Sequence, residues 1–375
     1  MPSYSGVWTL QAQMQAEAAG NWPKPPVSLF AWGNNSSGQL GQNDTTNRSS
    51  PVQVGSPDKW SQVSISNSGF AVKTDGTLWA WGNNSAGQLG QNDTTARSSP
   101  VQIGSLTGWS RVVRQMACLA VKSNGTLWAW GAGTYGGQGL NDTTNRSSPV
   151  QVGALTTWYQ VATSAFSVAV KTDGTFWSWG RNDYGQLGLS DTANRSSPVQ
   201  VGALSNWQSA ASVQTFCAAV KTDGTLWSWG RNQYGQLGHN NTTYRSSPVQ
   251  VGALTNWAAV SGGVSFCVAL KTDGTLWSWG SGLQGRLGQN GTTNRSSPVQ
   301  IGALTTWAQI SGSAAACNAI KTDGTLWAWG YNGSGLLGQN DTVTQSSPVQ
   351  VGALTAWTTL AQSATSSYSS LALKK

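Results

Sequence analysis

The chain has 375 residues, of which 46 are glycine and 22 tryptophan, and only 9% are charged. So much indole excludes a disordered chain, and no stretch approaches the ~18 apolar residues of a membrane-spanning helix. A net charge of +8 arises without any basic run longer than Lys374-Lys375, and "MPSYSGVWTL" lacks the basic start and apolar core of a secretory signal.

Residues 1–26 do not share the pattern of the later residues. In "WTLQAQMQAEAAGNWP", Thr9 is placed to cap a short helix and Gly20 to end it, although Ala12 occupies the site where a capping box needs Glu or Gln. Leu10, Met14 and Ala18 would form a narrow apolar stripe. With Trp8 and Trp22 they make this segment a candidate attachment element; a plug folded back on the rest of the chain is the alternative.

From residue 27 a single period takes over. A Trp-Gly pair closes at Gly33, Gly82, Gly131, Gly180, Gly230, Gly280 and Gly330, with spacings of 49 and then 50 residues. Pro-Val-Gln recurs from Pro51 to Pro348 and a lone tryptophan from Trp60 to Trp357, seven times each. Each period reads as four strands: "WSQVSIS", "FAVKTD", "TLWAWG" and, after a polar loop, "PVQV". Asp75-Gly76 predicts a two-residue hairpin, and proline at the start of the last strand suits an outer edge.

Four strands per period, repeated without a helical insert, predict an all-β, seven-bladed propeller of antiparallel blades over residues 27–375. The two indoles of each Trp-x-Trp point to one face of the sheet, which a neighbouring blade must cover. The pattern starts mid-repeat at "SLFAWG" and stops mid-repeat at "SLALKK", so the terminal strands are expected to share one blade and remove the open edges. Trp60 to Lys73 spans 13 residues and Trp207 to Lys221 spans 14, which places an extra residue in the region of the first two strands, with the loop between them its expected place.

"WSWGRNQYGQLG", "KTDGTLWAWG" and "NRSSPVQVG" resemble regulator-of-chromosome-condensation repeats, above all their prokaryotic and viral versions. That resemblance implies strands running outward from a central channel in chain order. The family often places histidine five residues before the repeat lysine, where this chain has Ser68, Ala117, Phe166, Phe216, Phe266, Ala316 and Ser369. The third phrase, "WGAGTYGGQGLND", scrambles the Gly-Gln-Leu-Gly element. The spacings leave no room for the protruding insertion of the nucleotide-exchange members, and the Gly-Trp-Arg-His-Thr motif of the family's plant ultraviolet receptor is absent. "GVWTLQAQMQAEAAGNWP" resembles an N-terminal segment of structural proteins from tailed bacteriophages.

Reaction chemistry is poorly provided for. His239 and Glu17 are single occurrences, and the aspartates sit in turns. Cys118, Cys217, Cys267 and Cys317 hold equivalent positions in different blades, as small packing residues do. No catalytic residue, metal site or cofactor is indicated. Rings of lysine (Lys73 to Lys321) and arginine (Arg48 to Arg295) lie near aspartates, which predicts local pairing, with an anion-binding ring as the alternative; neither is the concentrated stripe that nucleic acid needs. Asn-x-Thr triplets such as Asn43-Asp44-Thr45 read as turn caps rather than glycan acceptors.

The repeats differ most just after Trp-Gly. Tyr135, Tyr184 and Tyr234 are expected on consecutive blades, with Arg181 and Arg231 beside two of them, and aromatics with arginine are typical of binding hot spots. Neutral drift at loop tips accounts for the same variation. The expectation is a non-enzymatic virion protein of a tailed phage, a tail, fibre or decoration component joined to other particle proteins through residues 1–26, with a homo-oligomer in the particle as a further option. Its loop face would meet a host-surface glycan or protein. A bacterial binding or inhibitor propeller is the alternative, and a nucleotide-exchange regulator a weaker third.

Overall fold

The computed structural model describes residues 27–56, 58–363 and 368–375, with the backbone alone at 362 and 363. In the first complete repeat Trp60–Ile65, Ser68–Lys73, Leu78–Gly82 and Arg97–Gln102 pair antiparallel in that order. Five further blades, starting at Trp109, Trp158, Trp207, Trp257 and Trp307, repeat the order. The seventh takes Trp357–Leu360 and Ser369–Lys374 from one end of the chain and Ser28–Gly33 and Arg48–Gln53 from the other. Ser28–Gly33 pairs along its length with Ser369–Lys374, from Ser28 opposite Lys374 to Gly33 opposite Ser369. The protein is a seven-bladed propeller closed by its own termini.

The first strands touch one another in succession around a central channel, and the last touches the first. There is no common core. Seven apolar clusters lie one per blade junction, each built on the tryptophans of one blade and the aliphatic residues of the blade before it. Both members of each Trp-x-Trp join the same cluster, as a two-residue side-chain period requires. The second indole is fully buried every time, from Trp32 to Trp329.

The second indole of each pair finds an acceptor for its buried N–H on the preceding blade, whereas those of Trp60, Trp158, Trp207, Trp257, Trp307 and Trp357 are buried without one among the described residues. Trp81 Nε1 donates to the Gln39 carbonyl at 2.8 Å, Trp130 to Gln88 at 2.8 Å, Trp229 to Gln186 at 2.9 Å and Trp279 to Gln236 at 2.9 Å. The ring is completed by Trp32 donating to the Leu336 carbonyl at 2.9 Å, 304 residues away. A second stitch runs outside it: backbone N–H groups such as Asn92 and Asn240 donate to Ser147 and Ser296 of the next blade, and Asn340 to Ser49 closes that circle at 2.7 Å. Asn43, Asn92, Asn141, Asn240, Asn290 and Asn340 hold positive φ, in keeping with their reading as turn residues.

Four expectations need correction. The outer strand begins at Arg48, not at Pro51, because Ser-Ser-Pro forms a bulge between Gly33–Arg48 and Ala31–Val52. The Asp-Gly turn is not a two-residue loop: Lys73 N–H donates to Thr77 O around three residues, with Gly76 at φ +78°. The extra residue of the later repeats lengthens the first strand to Trp207–Val213 and Trp257–Gly263, and only in the sixth blade does the following loop grow. Finally, the blade starting at Trp60 has a fifth strand, Gln362–Ser363, lying parallel to Ser64 and Ile65.

Candidate functional site

Each up-down blade sends the loop between its first two strands and the loop after Trp-Gly to the same side of the ring. Backbone bonds tie the two together: Arg231 N donates to Thr215 O at 3.0 Å, and Tyr331 N to Ala315 O at 3.0 Å. The same bond anchors the residue after Trp-Gly whether it is Asn83, Arg231, Ser281 or Tyr331. A buried asparagine one position later braces the loop. Asn182 donates to Asp191, and its Oδ1 accepts the Leu187 N–H at 2.9 Å; Asn232 does the same with Asn241 and Leu237.

On this frame the structure brings four of the five candidate residues together. The Arg181 guanidinium lies 5.2 Å from the Tyr135 ring and 6.0 Å from the Tyr184 ring, and that of Arg231 lies 5.0 Å from the Tyr184 ring. Tyr135, Arg181, Tyr184 and Arg231 thus alternate across three consecutive blades as a cation–π ladder. Arg181 also pairs with Asp183 at 2.6 Å. Among the described residues the Arg231 side chain bonds only to the neutral Gln233 side chain, and its buried Nε has no partner. Tyr234 is exposed on the same loop as Arg231 and makes none of the ladder's ring contacts among the described residues.

Tyr135 adopts φ +57°, a left-handed conformation that a bulky residue rarely holds. In its loop Gly133 replaces the bracing asparagine, and a tight turn with Gly137 N donating to Thr134 O takes over. The same exchange at Gly282 puts Gln284 at φ +59°. The scrambled third phrase keeps both essential glycines, Gly136 and Gly139. Gln138 fills the buried leucine site, satisfied by Gly131 O and Arg146, while Gly137 O accepts the Trp179 N–H at 2.9 Å.

Sequence reasoning missed Tyr244, whose ring meets Tyr184 edge-on at 5.9 Å. It belongs to the otherwise repetitive "NRSSP" region, where only its departure from asparagine or alanine signals it. A Tyr331–Tyr368 pair at 5.8 Å marks the same face near the closure. Trp8, Leu10, Met14 and Trp22 lie outside the described residues.

The charge rings divide. Arg48, Arg97, Arg146 and Arg195 pair with the aspartate four residues earlier at 2.5–2.8 Å, as expected. In the next two blades Asn241 and Gly291 replace the aspartate, leaving Arg245 and Arg295 without that partner. Local pairing with aspartate was the wrong expectation for most of the lysines. Lys221 sits 4.8 Å from the Trp207 ring and 3.8 Å from Trp227, and five other blades repeat this sandwich. Only Lys73 pairs with a carboxylate, Asp58 at 2.5 Å, among the described residues.

The cysteines are free and buried, and burial pushes the Cys118 thiol up to about 12. His239 bonds to Ser228 Oγ at 3.0 Å, and burial lowers its basicity. Among the described residues no group of three His, Cys, Asp or Glu side chains could hold a metal ion.

The model of the regulator of chromosome condensation (RCC1) repeat matches seven times, at residues 28–71, 75–118, 124–170, 173–220, 223–270, 273–320 and 323–373. No curated protein matches the chain. Among solved structures, human WBSCR16 superposes with a TM-score of 0.82 at 21% identity, over 94% of this chain and 99% of that one. Prp20p from Saccharomyces cerevisiae does so with a TM-score of 0.82 at 18% identity, over 94% and 92%. The yeast RCC1 (Prp20) bound to Kap60 gives 0.81 at 18%, over 93% and 89%. At such identities the superpositions speak for the fold alone, but the seven repeat matches span nearly every residue from 28 to 373, and the chain belongs to the regulator-of-chromosome-condensation repeat family.

Proposed function

We propose that the protein is a non-enzymatic binding platform whose Tyr135–Arg181–Tyr184–Arg231 face engages a macromolecular partner. The cation–π ladder carries this reading, because planar groups locked on braced loops lose little entropy on binding. Arg231, with no carboxylate partner, favours a surface that presents an acidic group. Prp20p is described for its binding to Gsp1p and histones, so protein recognition has a parallel among propellers of this fold.

The specific setting we favour is the particle of a tailed bacteriophage, with residues 1–26 as the anchor and the ladder face turned to a protein or glycan on the host surface. Support for it is the resemblance of "GVWTLQAQMQAEAAGNWP" to phage structural proteins. An inhibitor or adaptor propeller of bacterial origin would use the same face without a particle. Two measurements separate these readings. Particles assembled with the full chain should incorporate it, and those offered residues 27–375 should not; equal incorporation removes the anchor role. Tyr184→Ala and Arg231→Ala should each weaken attachment to host cells at least tenfold, the level of an interface hot spot. Unchanged attachment by both variants removes the ladder from the binding face.

A further inference from the structure

The first strands, after their leading tryptophan, mix small and polar residues with valine and isoleucine, and they surround a cavity of about 350 Å³ at the centre of the ring. Gln160, Thr163, Ser209, Ser212 and Gln309 contribute to its wall. So does Arg114, at the end of Trp109–Arg114, where the corresponding residues of the neighbouring blades are Ile65 and Thr163. Arg114 is 8% exposed. Its Nε has no hydrogen-bond partner, and neither has the buried hydroxyl of Ser209 in the same cavity.

A buried guanidinium requires a counter-charge, because removal from water costs several kcal/mol that only pairing offsets. None of the aspartates lies in a first strand; all stand in turns and loops or next to a strand end, and five of them are tied to arginines outside the cavity and one to Lys73. Among the described residues the neighbour within reach is the Cys118 thiol, which burial keeps neutral, while desolvation draws the Arg114 guanidinium below its ordinary range. The cavity is many times the ~30 Å³ share of one water molecule, so an oxyanion with its hydration fits.

We propose that the central channel is an anion site in which Arg114 binds a small oxyanion, phosphate or carboxylate, with the unpartnered Ser209 hydroxyl as a further donor. The planar fork of arginine matches two oxygens of either group, and the ligand supplies the missing charge. This site is separate from the ladder face and stands whether or not that face binds a partner.

The test uses the full chain at constant ionic strength, balanced with sodium chloride. Inorganic phosphate, or sodium acetate in a parallel series, should raise the thermal midpoint saturably by several degrees, with matching heat in calorimetric titration. A response to phosphate alone, acetate alone or both assigns the preferred oxyanion. Arg114→Met should abolish the response and, without anion, melt no lower than the native protein, because an apolar side chain ends the need for a counter-charge. Arg111→Met, altering the arginine that lies over Tyr159, should keep it. In native crystals soaked in arsenate, anomalous scattering should place arsenic within hydrogen-bond reach of Arg114, which needs no variant to fold. No saturable response to either anion, an equal response from Arg114→Met, or arsenic only elsewhere would overturn the site.

Discussion

Lys221 shows how one residue type can be misread from its neighbours in sequence. Asp223 is two positions away, yet the ammonium rests between two indoles, and the Asp223 carboxylate instead accepts the Thr225 hydroxyl at 2.6 Å and its N–H at 2.9 Å. That threonine oxygen in turn accepts the Trp227 N–H at 2.8 Å, so the chain Asp–Thr–Trp–Lys is one unit repeated around the ring. Lys221→Met should cost about 0.5–2 kcal/mol in urea unfolding, the range of a partly desolvated cation–π contact. Threonine hydrogen bonds hold the carboxyls of Asp173, Asp223, Asp273 and Asp323 below the ordinary 3.8. The folded state therefore favours the ionised form, and this stabilisation is complete above pH ~4 and fades as the pH falls through the lowered values. The thermal midpoint should drop steadily with acidification below that point. Asp223→Asn should flatten the drop, since Asn124 already fills this role at another blade.

At the scale of the element, the loop after Trp-Gly is both the most variable part of the repeat and the part that joins blades. Gly185 illustrates the constraint: φ is +74°, and a Cβ there would lie 2.5 Å from the Ser246 Cα of the next blade. Gly185→Ala should therefore lower stability by more than the ~1 kcal/mol of an unstrained backbone change, read from the denaturation midpoint. Trp229→Phe keeps most of the apolar area but strands the Gln186 carbonyl, which should cost about 1–3 kcal/mol in the same measurement. Between such fixed points Tyr135, Tyr184 and Tyr234 were free to vary. The positions of the candidate patch were legible in the sequence because variation stood out against seven copies. Its geometry was not, since the left-handed turn at Tyr135 depends on the loss of a side-chain brace that is effective only in three dimensions.

For the whole molecule, closure replaces a central core. Each junction cluster is complete only when two blades meet, so the shared blade secures two junctions at once, through Trp32 on one side and Leu371 and Leu373 on the other. Deleting residues 369–375 removes the strand between Ser28–Gly33 and Trp357–Leu360 and bares two edges. The expected outcome is loss of the single cooperative melting transition together with self-association on size exclusion. A monomer that melts unchanged would show that the ring does not need its clasp. Gln362–Ser363, parallel to Ser64 and Ile65, adds a second fastening that no repeat phrase announces.

The amino-acid sequence by itself determined the number of blades, their strand order, the face on which each indole lies and the pairing of the two ends. Period and alternation are one-dimensional properties, and burying one tryptophan face per repeat leaves few alternatives to a ring. Beyond local pairs such as Asp191–Arg195, tertiary structure decided what the polar groups would meet. The lysines found indoles, the second tryptophans found carbonyls of the blade before, and Arg114 was left facing a cavity without a carboxylate. The indoles' carbonyl partners come from the neighbouring blade, 42 or 43 residues away, and the lysines' indoles from flanking strands of their own blade, so both depend on strand pairing and blade stacking rather than on adjacency in the sequence.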